Sequence, residues 1–382
     1  MEYTIETKFP NQMLLANGEL CISIYMPTHR MLQNNKQDSL VFKNLVKEAE
    51  LSLEKLYSTK EISPLMTLLN KLKNDVNFWN HSLDGLAVFA TLDAVIVYRI
   101  KKDLEPIAIV SKGFHIKPLI EYFQGLETFS ILALEANSFA LYEGNHLDIK
   151  TIELPSDVET TLSGVLGTQH SDSYLTTHGG NRGSNDAVFH GHGGKSDDKA
   201  IDQEKFFRYV DNYVLENISK KNHYPLLLVT KKEHNSDFRN VSINPYLIEN
   251  SIDGSYDTFQ ESEILNELKR IFKDRFLEKV NKDIERFNSL KDKNLSTDQI
   301  KIIVKALLES RVDTLFLEKN KIISGRIDEN KRNIITGDLD NPVAEDLLND
   351  MIKHAFLSNS IIIILDKEQM PSTSGAAAIL RY

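Results

Sequence analysis

The residues best placed to do chemistry fall in one short run, Val188-Phe189-His190-Gly191-His192-Gly193-Gly194-Lys195-Ser196. Three of its residues, Gly191, Gly193 and Gly194, have no Cβ, so the backbone can approach a ligand more closely than any side chain would allow. A backbone N–H brought that near a reacting ester could stabilise developing negative charge. Lys195 adds an ammonium that can pair with phosphate or an oxyanion, although it is costly to desolvate. His190 and His192 add imidazoles, and Ser196 adds a hydroxyl.

Several chemistries share these residue types. Gly194-Lys195-Ser196 matches the end of a phosphate-binding G-x-x-x-x-G-K-[ST] loop, and residues 361–365 followed by Asp366 imitate its partner strand. The first glycine of that motif falls on Phe189, which breaks the phosphate cradle. His170, His178, His190 and His192 lie in one polar segment and could chelate zinc. No His-x-x-x-His pair and no cysteine partner supports that, so neither a metal nor a cofactor is expected. A serine hydrolase lacks its G-x-S-x-G elbow. A plain polar linker is the remaining alternative.

The elements that must position the run are legible on both sides. After it, Ile201, Phe206, Phe207, Val210, Tyr213 and Val214 recur at helical spacing, with Ser196 as a candidate cap and Asp197 and Asp198 at the positive end. The aromatic residues of that helix, Tyr209 included, read as core packing and surface contact rather than base-stacking groups. Before the run, residues 129–134, 138–142 and 147–154 read as three strands, with Glu143-Gly144-Asn145 as the second turn. From 156 to 199 the chain is rich in Gly, Ser, Thr, Asp and His, the composition of a long functional loop. Residues 225–230 form a buried strand, and residues 238–245 lead into a turn.

Residues 1–125 read as a separate α/β unit. A strand at 20–26 ends in Pro27-Thr28-His29-Arg30, a surface turn whose His29 and Arg30 could meet phosphate. Two helical patterns and a strand pair, 86–90 and 94–98, follow. From 261 onward, helical patterns at 264–290, 299–308 and 344–356 alternate with strands at 312–317 and 361–365, as in an α/β/α domain. Arg381-Tyr382 is expected to close the last strand against its domain. The fold class is therefore α/β in three domains, 1–125, 126–260 and 261–382, with the glycine-rich loop 156–199 in the second.

The 382 residues are 41% hydrophobic and 26% charged, with a formal net charge of -10. That acidity favours solubility and argues against a DNA-coating protein, which needs clustered Lys and Arg. No apolar run reaches membrane-spanning length, and the first residues lack the pattern of a secretory signal. Cys21 is the single cysteine, which rules out internal disulfides and thiolate zinc sites. Cytoplasm is the expected compartment.

The order of these parts resembles the archaeal and eukaryotic class I peptide release factors and Pelota. The run from His190 to Ser196 resembles that family's His-Gly-Arg-Gly-Gly-Gln-Ser loop. Its flanks are similar too, a preceding hairpin at 131–154 and a following strand and turn at 226–239. Ser310-Arg311-Val312-Asp313-Thr314-Leu315-Phe316 and Ala376-Ala377-Ala378-Ile379-Leu380-Arg381-Tyr382 resemble its C-terminal domain. The likeness covers 128–382; the N-terminal part has no Asn-Ile-Lys-Ser motif and differs, as in the superfamily's bacterial branch.

The resemblance implies an RNase H-like central sheet and a last domain like the kink-turn-binding ribosomal proteins. It implies a ribosome- or tRNA-binding factor whose loop promotes hydrolysis of peptidyl-tRNA, with Gly193 and Gly194 matching the catalytic glycine pair. His190, Gly191, His192 and Ser196 would then contact substrate. Lys195 stands where that family has glutamine. An ammonium has no amide oxygen to accept a hydrogen bond from water, so release chemistry and a rescue or sensing role without it both stay open. A non-ribosomal hydrolase or binding protein reusing the scaffold is the alternative.

Overall fold

The structure, a computed structural model, describes residues 3–15, 20–167, 194–336 and 346–382. The chain divides into two compact units, Met1–Gly125 with Phe276–Tyr382, and Leu126–Arg275.

The first unit begins with β1 (Thr4–Glu6), β2 (Cys21–Pro27), α1 (Leu32–Leu53), α2 (Thr59–Asn74) and α3 (Val76–Trp79). It continues with β3 (Gly85–Ala90), β4 (Val95–Ile100), β5 (Ile107–Ser111) and α4 (Lys117–Phe123). The strands lie in the order β1-β4-β3-β2-β5. Period-two alternation sends Ile22, Ile24 and Met26 to the face packed by Phe42, Leu45, Leu65 and Leu69 of α1 and α2. Cys21 and Tyr25 face the other way, into a second core, and the Cys21 thiol is buried there. The expected strands are present; β1 and β5 lie beyond them as additional edge strands.

The second unit contains β6 (Phe129–Leu134), β7 (Phe139–Asn145), β8 (Asp148–Thr151), α5 (Leu162–Leu166) and α6 (Gly194–Val214). After a π-helical turn at Leu215–Ser219 come α7 (Lys220–Asn222), β9 (Leu226–Thr230), α8 (Lys232–Val241) and β10 (Leu247–Asp253). Its sheet order is β10-β9-β6-β7-β8, with β6 parallel to β9, β9 parallel to β10, and β6, β7 and β8 antiparallel. That is the mixed, RNase H-like sheet the resemblance implies.

Three local expectations change here. Glu143, Gly144 and Asn145 are strand residues, paired to Lys150, Ile149 and Asp148, so the turn is His146-Leu147. Gly144 is needed within the strand because a Cβ would run into the Asp148 carbonyl. Residues 238–241 end a helix rather than start a turn, and α8 escaped notice because only His234 and Phe238 of it are buried. The loop expected over 156–199 is helical near both ends. Leu162, Val165 and Leu166 supply enough apolar contact to fold α5 behind a Thr161 cap, and α6 already starts at Gly194.

The long helix α9 spans Glu261–Ser289. The first unit then resumes with β11 (Ser296–Thr297), α10 (Ile300–Leu308), β12 (Val312–Glu318), β13 (Gly325–Asp328) and β14 (Asn333–Thr336). It closes with α11 (Leu347–Leu357), β15 (Ile361–Leu365) and β16 (Ala376–Leu380). The sheet order is β11-β16-β12-β15. Val280 and Phe287 of α9 pack on Phe316, Ile363 and Ala377. Leu315, Leu317 and Ala378 face α10 and α11 through Val304, Leu307, Leu348 and Met351. This is the α/β/α sandwich.

Arg381 does close the last strand. Its guanidinium donates to the carbonyls of Ser310 (3.1 Å), Ser358 (2.7 Å) and Asn359 (3.3 Å). Ser310 and Asn359 hold positive φ just beyond the ends of α10 and α11, where exposed carbonyls attract a cation.

Within the first unit the N-terminal and C-terminal sheets share one core. Gln124 reaches edge strand β15 like a neighbouring strand: its Nε2 donates to Ile364 O (2.9 Å) and its Oε1 accepts from Ile364 N–H (2.7 Å). Asn349 Oδ1 accepts from Ile116 N–H (2.9 Å), while its Nδ2 donates to Phe114 O. Phe9 stacks on Phe123, with centroids 5.1 Å apart, and meets Phe356 edge-on.

Candidate functional site

Two helices of the second unit flank the segment that contains the glycine run. The first is α5, where Thr161 accepts from Gly164 N–H (3.2 Å) and Gly167 ends the helix at φ 50°. The second is α6. Leu162 and Val165 of α5 pack into the core that buries Phe206, Phe207, Val210 and Val214 of α6 against Leu132, Leu134 and Phe139. His190, Gly191, His192 and Gly193 lie outside the described residues, as do Phe189, His170 and His178. Gly194, Lys195 and Ser196 form the first turn of α6. Ser196 is therefore inside the helix rather than its cap, because the helix begins two residues earlier than its apolar pattern suggests.

The base of α6 is fixed by polar contacts as well as by apolar ones. Asp211, almost fully buried, accepts from Ser242 Oγ (2.5 Å) and Ile243 N–H (2.8 Å), tying α6 to the end of α8. Gln203 Nε2 lies 2.9 Å from His234 Nδ1. Asn244 Nδ2 donates to Ser219 Oγ (2.9 Å), which holds the π-helical turn. Phe206 and Phe207 are core residues, as their spacing implies, while Ile201 is half exposed and stands off the core. Tyr209 and Tyr213 stack with centroids 6.5 Å apart, and burial, with Tyr209 and Asp157 nearby, raises the Tyr213 phenol above its ordinary value.

Other residues singled out by sequence are occupied structurally. Arg30 makes a bidentate pair with Asp84 (2.6 and 2.7 Å), and this hydrogen bond holds the Asp84 carboxyl below the usual range. His29 meets the buried Asp38 through Nδ1 at 2.7 Å, and its own N–H donates to the same carboxylate at 2.8 Å. Asp366 caps the short turn Lys367–Gln369. Among the described residues no group of His, Cys, Asp and Glu could hold a metal ion, and no helix is long and apolar enough to cross a membrane.

The bacterial archaeo-eukaryotic release factor family 6 is matched over residues 127–274, which takes in the three-strand meander, both flanking helices, the glycine run and the parallel strands. That match is confined to these residues, and residues 1–126 and 275–382 lie outside it. No curated protein matches the sequence. Among solved structures, the archaeal translation termination factor aRF1 is 11% identical over 97% of this chain and 96% of its own, with a TM-score of 0.23. Pelota from Archaeoglobus fulgidus is 12% identical over 78% of this chain and 79% of its own, at 0.36. Dom34 from S. cerevisiae is 10% identical over 75% and 72%, at 0.36.

Within this release factor-like unit the charge is uneven. Residues 126–275 carry 15 Lys and Arg against 24 Asp and Glu, so nearly all of the chain's net -10 falls there. Sequence reading missed a second polar cluster, in the first unit, where Lys102, His115, Lys117, Glu121 and Lys319 converge on one cavity. No local pattern marks it, because its residues come from segments far apart in the chain.

Proposed function

We propose that this chain is a translation-associated factor that binds the ribosome or tRNA and presents the run from Gly191 to Ser196 to the end of peptidyl-tRNA. The observation that carries this reading is the family match over a segment that contains the glycine run, between two helices that share one core. A glycine-rich run between packed helices suits work in a confined ribosomal cavity, where a side chain would collide. The three segments 1–125, 126–260 and 261–382 would act as modules, the first differing from a stop-codon reader.

Two outcomes are compatible with Lys195. If its backbone N–H and the preceding glycines do the work, the loop promotes ester hydrolysis, and the ammonium pairs with a nearby phosphate. If an amide side chain is required, the loop only senses an occupied or empty site, and the factor serves ribosome rescue without cleaving. Ribosome co-sedimentation at low and high salt tests the docking step. Retention that weakens steeply with salt is expected of a phosphate-contacting factor; absence from the ribosomal pellet at every salt concentration contradicts the reading.

A second reading, a non-ribosomal hydrolase or binding protein on the same scaffold, is favoured by the acidity of residues 126–275. A module with so few cations gains little from phosphate neutralisation. The same sedimentation series separates the two.

A further inference from the structure

The first unit holds a cavity of about 490 Å³ that the release factor reading does not use. Its walls combine Leu104, Pro106, Ile107, Pro118 and Ile322 with Tyr25, His115, Lys117, Lys102, Glu121 and Lys319. Its size and its mixture of apolar walls with a few converging polar groups suit a small organic ligand.

The polar groups define the ligand's charge. Lys102 Nζ and Lys319 Nζ reach the same oxygen of Glu121, Oε1, at 2.8 and 2.7 Å. Two ammonium groups thus converge on one carboxylate, and each keeps further N–H donors beyond that contact. Deeper in, Lys117 is almost fully buried; it donates to Lys321 O and forms an ion pair with Asp346 Oδ2 at 2.9 Å. Asp346 Oδ2 accepts no aligned hydrogen bond among the described residues, so this contact is one of charge. On the wall Lys102, Lys319 and Lys117 stand with Glu121, and Asp346 pairs with Lys117 from beyond it. Asp103 and Glu105, also on the wall, are exposed.

His115 completes the set. Its N–H donates to Ser23 Oγ (2.9 Å) and its carbonyl accepts from Tyr25 O–H (2.6 Å), so the backbone is fixed while the ring lines the cavity. Burial and the neighbouring Lys117 lower its pKa to about 4, which keeps the ring neutral and able to donate from one nitrogen and accept at the other. His115 and Ile322 also line a second cavity of about 240 Å³.

We propose that this cavity binds a small organic anion, a carboxylate or phosphate head on an apolar body. The head would sit against Lys102 and Lys319, with the body over Ile107, Pro118 and Ile322. Glu121 holds the two lysines in place and limits the attraction, so its charge sets affinity in the opposite sense to theirs. The site is independent of the glycine run.

Titration calorimetry of the full chain with benzoate, phenyl phosphate and inorganic phosphate tests this. Benzoate and phenyl phosphate share one ring and differ in head group; inorganic phosphate lacks the apolar body. Saturable binding of benzoate or phenyl phosphate is expected, with inorganic phosphate weaker, and the tighter aromatic probe identifies the head. Lys319→Ala should weaken that binding at least tenfold, and Glu121→Gln, which keeps the side chain's shape, should tighten it several-fold. The His115 ring resonances should shift on saturation in the unsubstituted protein. The proposal is overturned if neither aromatic probe binds saturably, if inorganic phosphate binds as tightly as they do, or if Glu121→Gln and Lys319→Ala change affinity in the same direction.

Discussion

The two compact units use charge in opposite ways. The unit Leu126–Arg275 is strongly acidic, yet its described core is fastened mainly by apolar packing and by single buried acceptors such as Asp211. The other unit has nearly balanced charge but draws it inward, onto the Lys117–Asp346 pair and the Glu121 cluster. A motif can announce the first kind of region, because its working residues are neighbours in sequence. The second kind exists only after folding.

The largest effect expected from this contrast is at Lys117. Lys117→Met leaves the Asp346 carboxylate buried and unpaired, at a cost of about 3–5 kcal/mol. Urea unfolding followed by hydrogen exchange should show the loss in the first unit alone. A loss below about 1 kcal/mol would mean that water reaches the pair and that charge is not drawn inward.

His115 sharpens the same point through pH. Its folded pKa of about 4 lies below the ordinary histidine value of about 6.5, so the unfolded chain binds the extra proton between those limits. The stabilisation is complete above about pH 6.5 and is lost as the pH falls toward 4, by up to ~3 kcal/mol. His115→Gln should flatten that part of the stability–pH curve. An unchanged slope would place the proton uptake elsewhere.

In the acidic unit the corresponding change is smaller. Asp211→Ala removes the acceptor for Ser242 Oγ and Ile243 N–H, and a loss of about 1.5–3 kcal/mol is expected for hydrogen bonds to a charged group. Exchange should quicken in α6 and α8 while the first unit keeps its protection. The smallest effect belongs to the half-exposed Arg30–Asp84 pair, where Arg30→Ala should cost less than about 1 kcal/mol despite ideal geometry. A larger cost would show that exposed charge also carries this fold.

Much of the architecture was legible because local pattern and tertiary burial agree. The alternation in β2, the helical spacing of Phe206, Phe207, Val210 and Val214, and the apolar β15 all appear where they were expected. The misses have physical causes. α8 and β10 bury too few residues for periodicity to register, and β10 lies at a sheet edge. α6 gains its first turn from Gly194, a residue whose type signals a loop. The glycine run stands out in the sequence by residue type and spacing, and His190, Gly191, His192 and Gly193 lie outside the described residues. The lysine cavity left no trace, since Lys102, His115 and Lys319 meet only through the packing of two sheets.

The direct test of the functional reading is release of the peptide from peptidyl-tRNA on stalled ribosomes, comparing the unsubstituted protein with the Gly193→Ala/Gly194→Ala double variant. If the glycine run works on the ester, the unsubstituted protein releases peptide and the double variant loses at least a hundredfold in rate while still sedimenting with ribosomes. Equal release by both proteins, or no ribosome engagement by either, contradicts it and assigns the scaffold to another use.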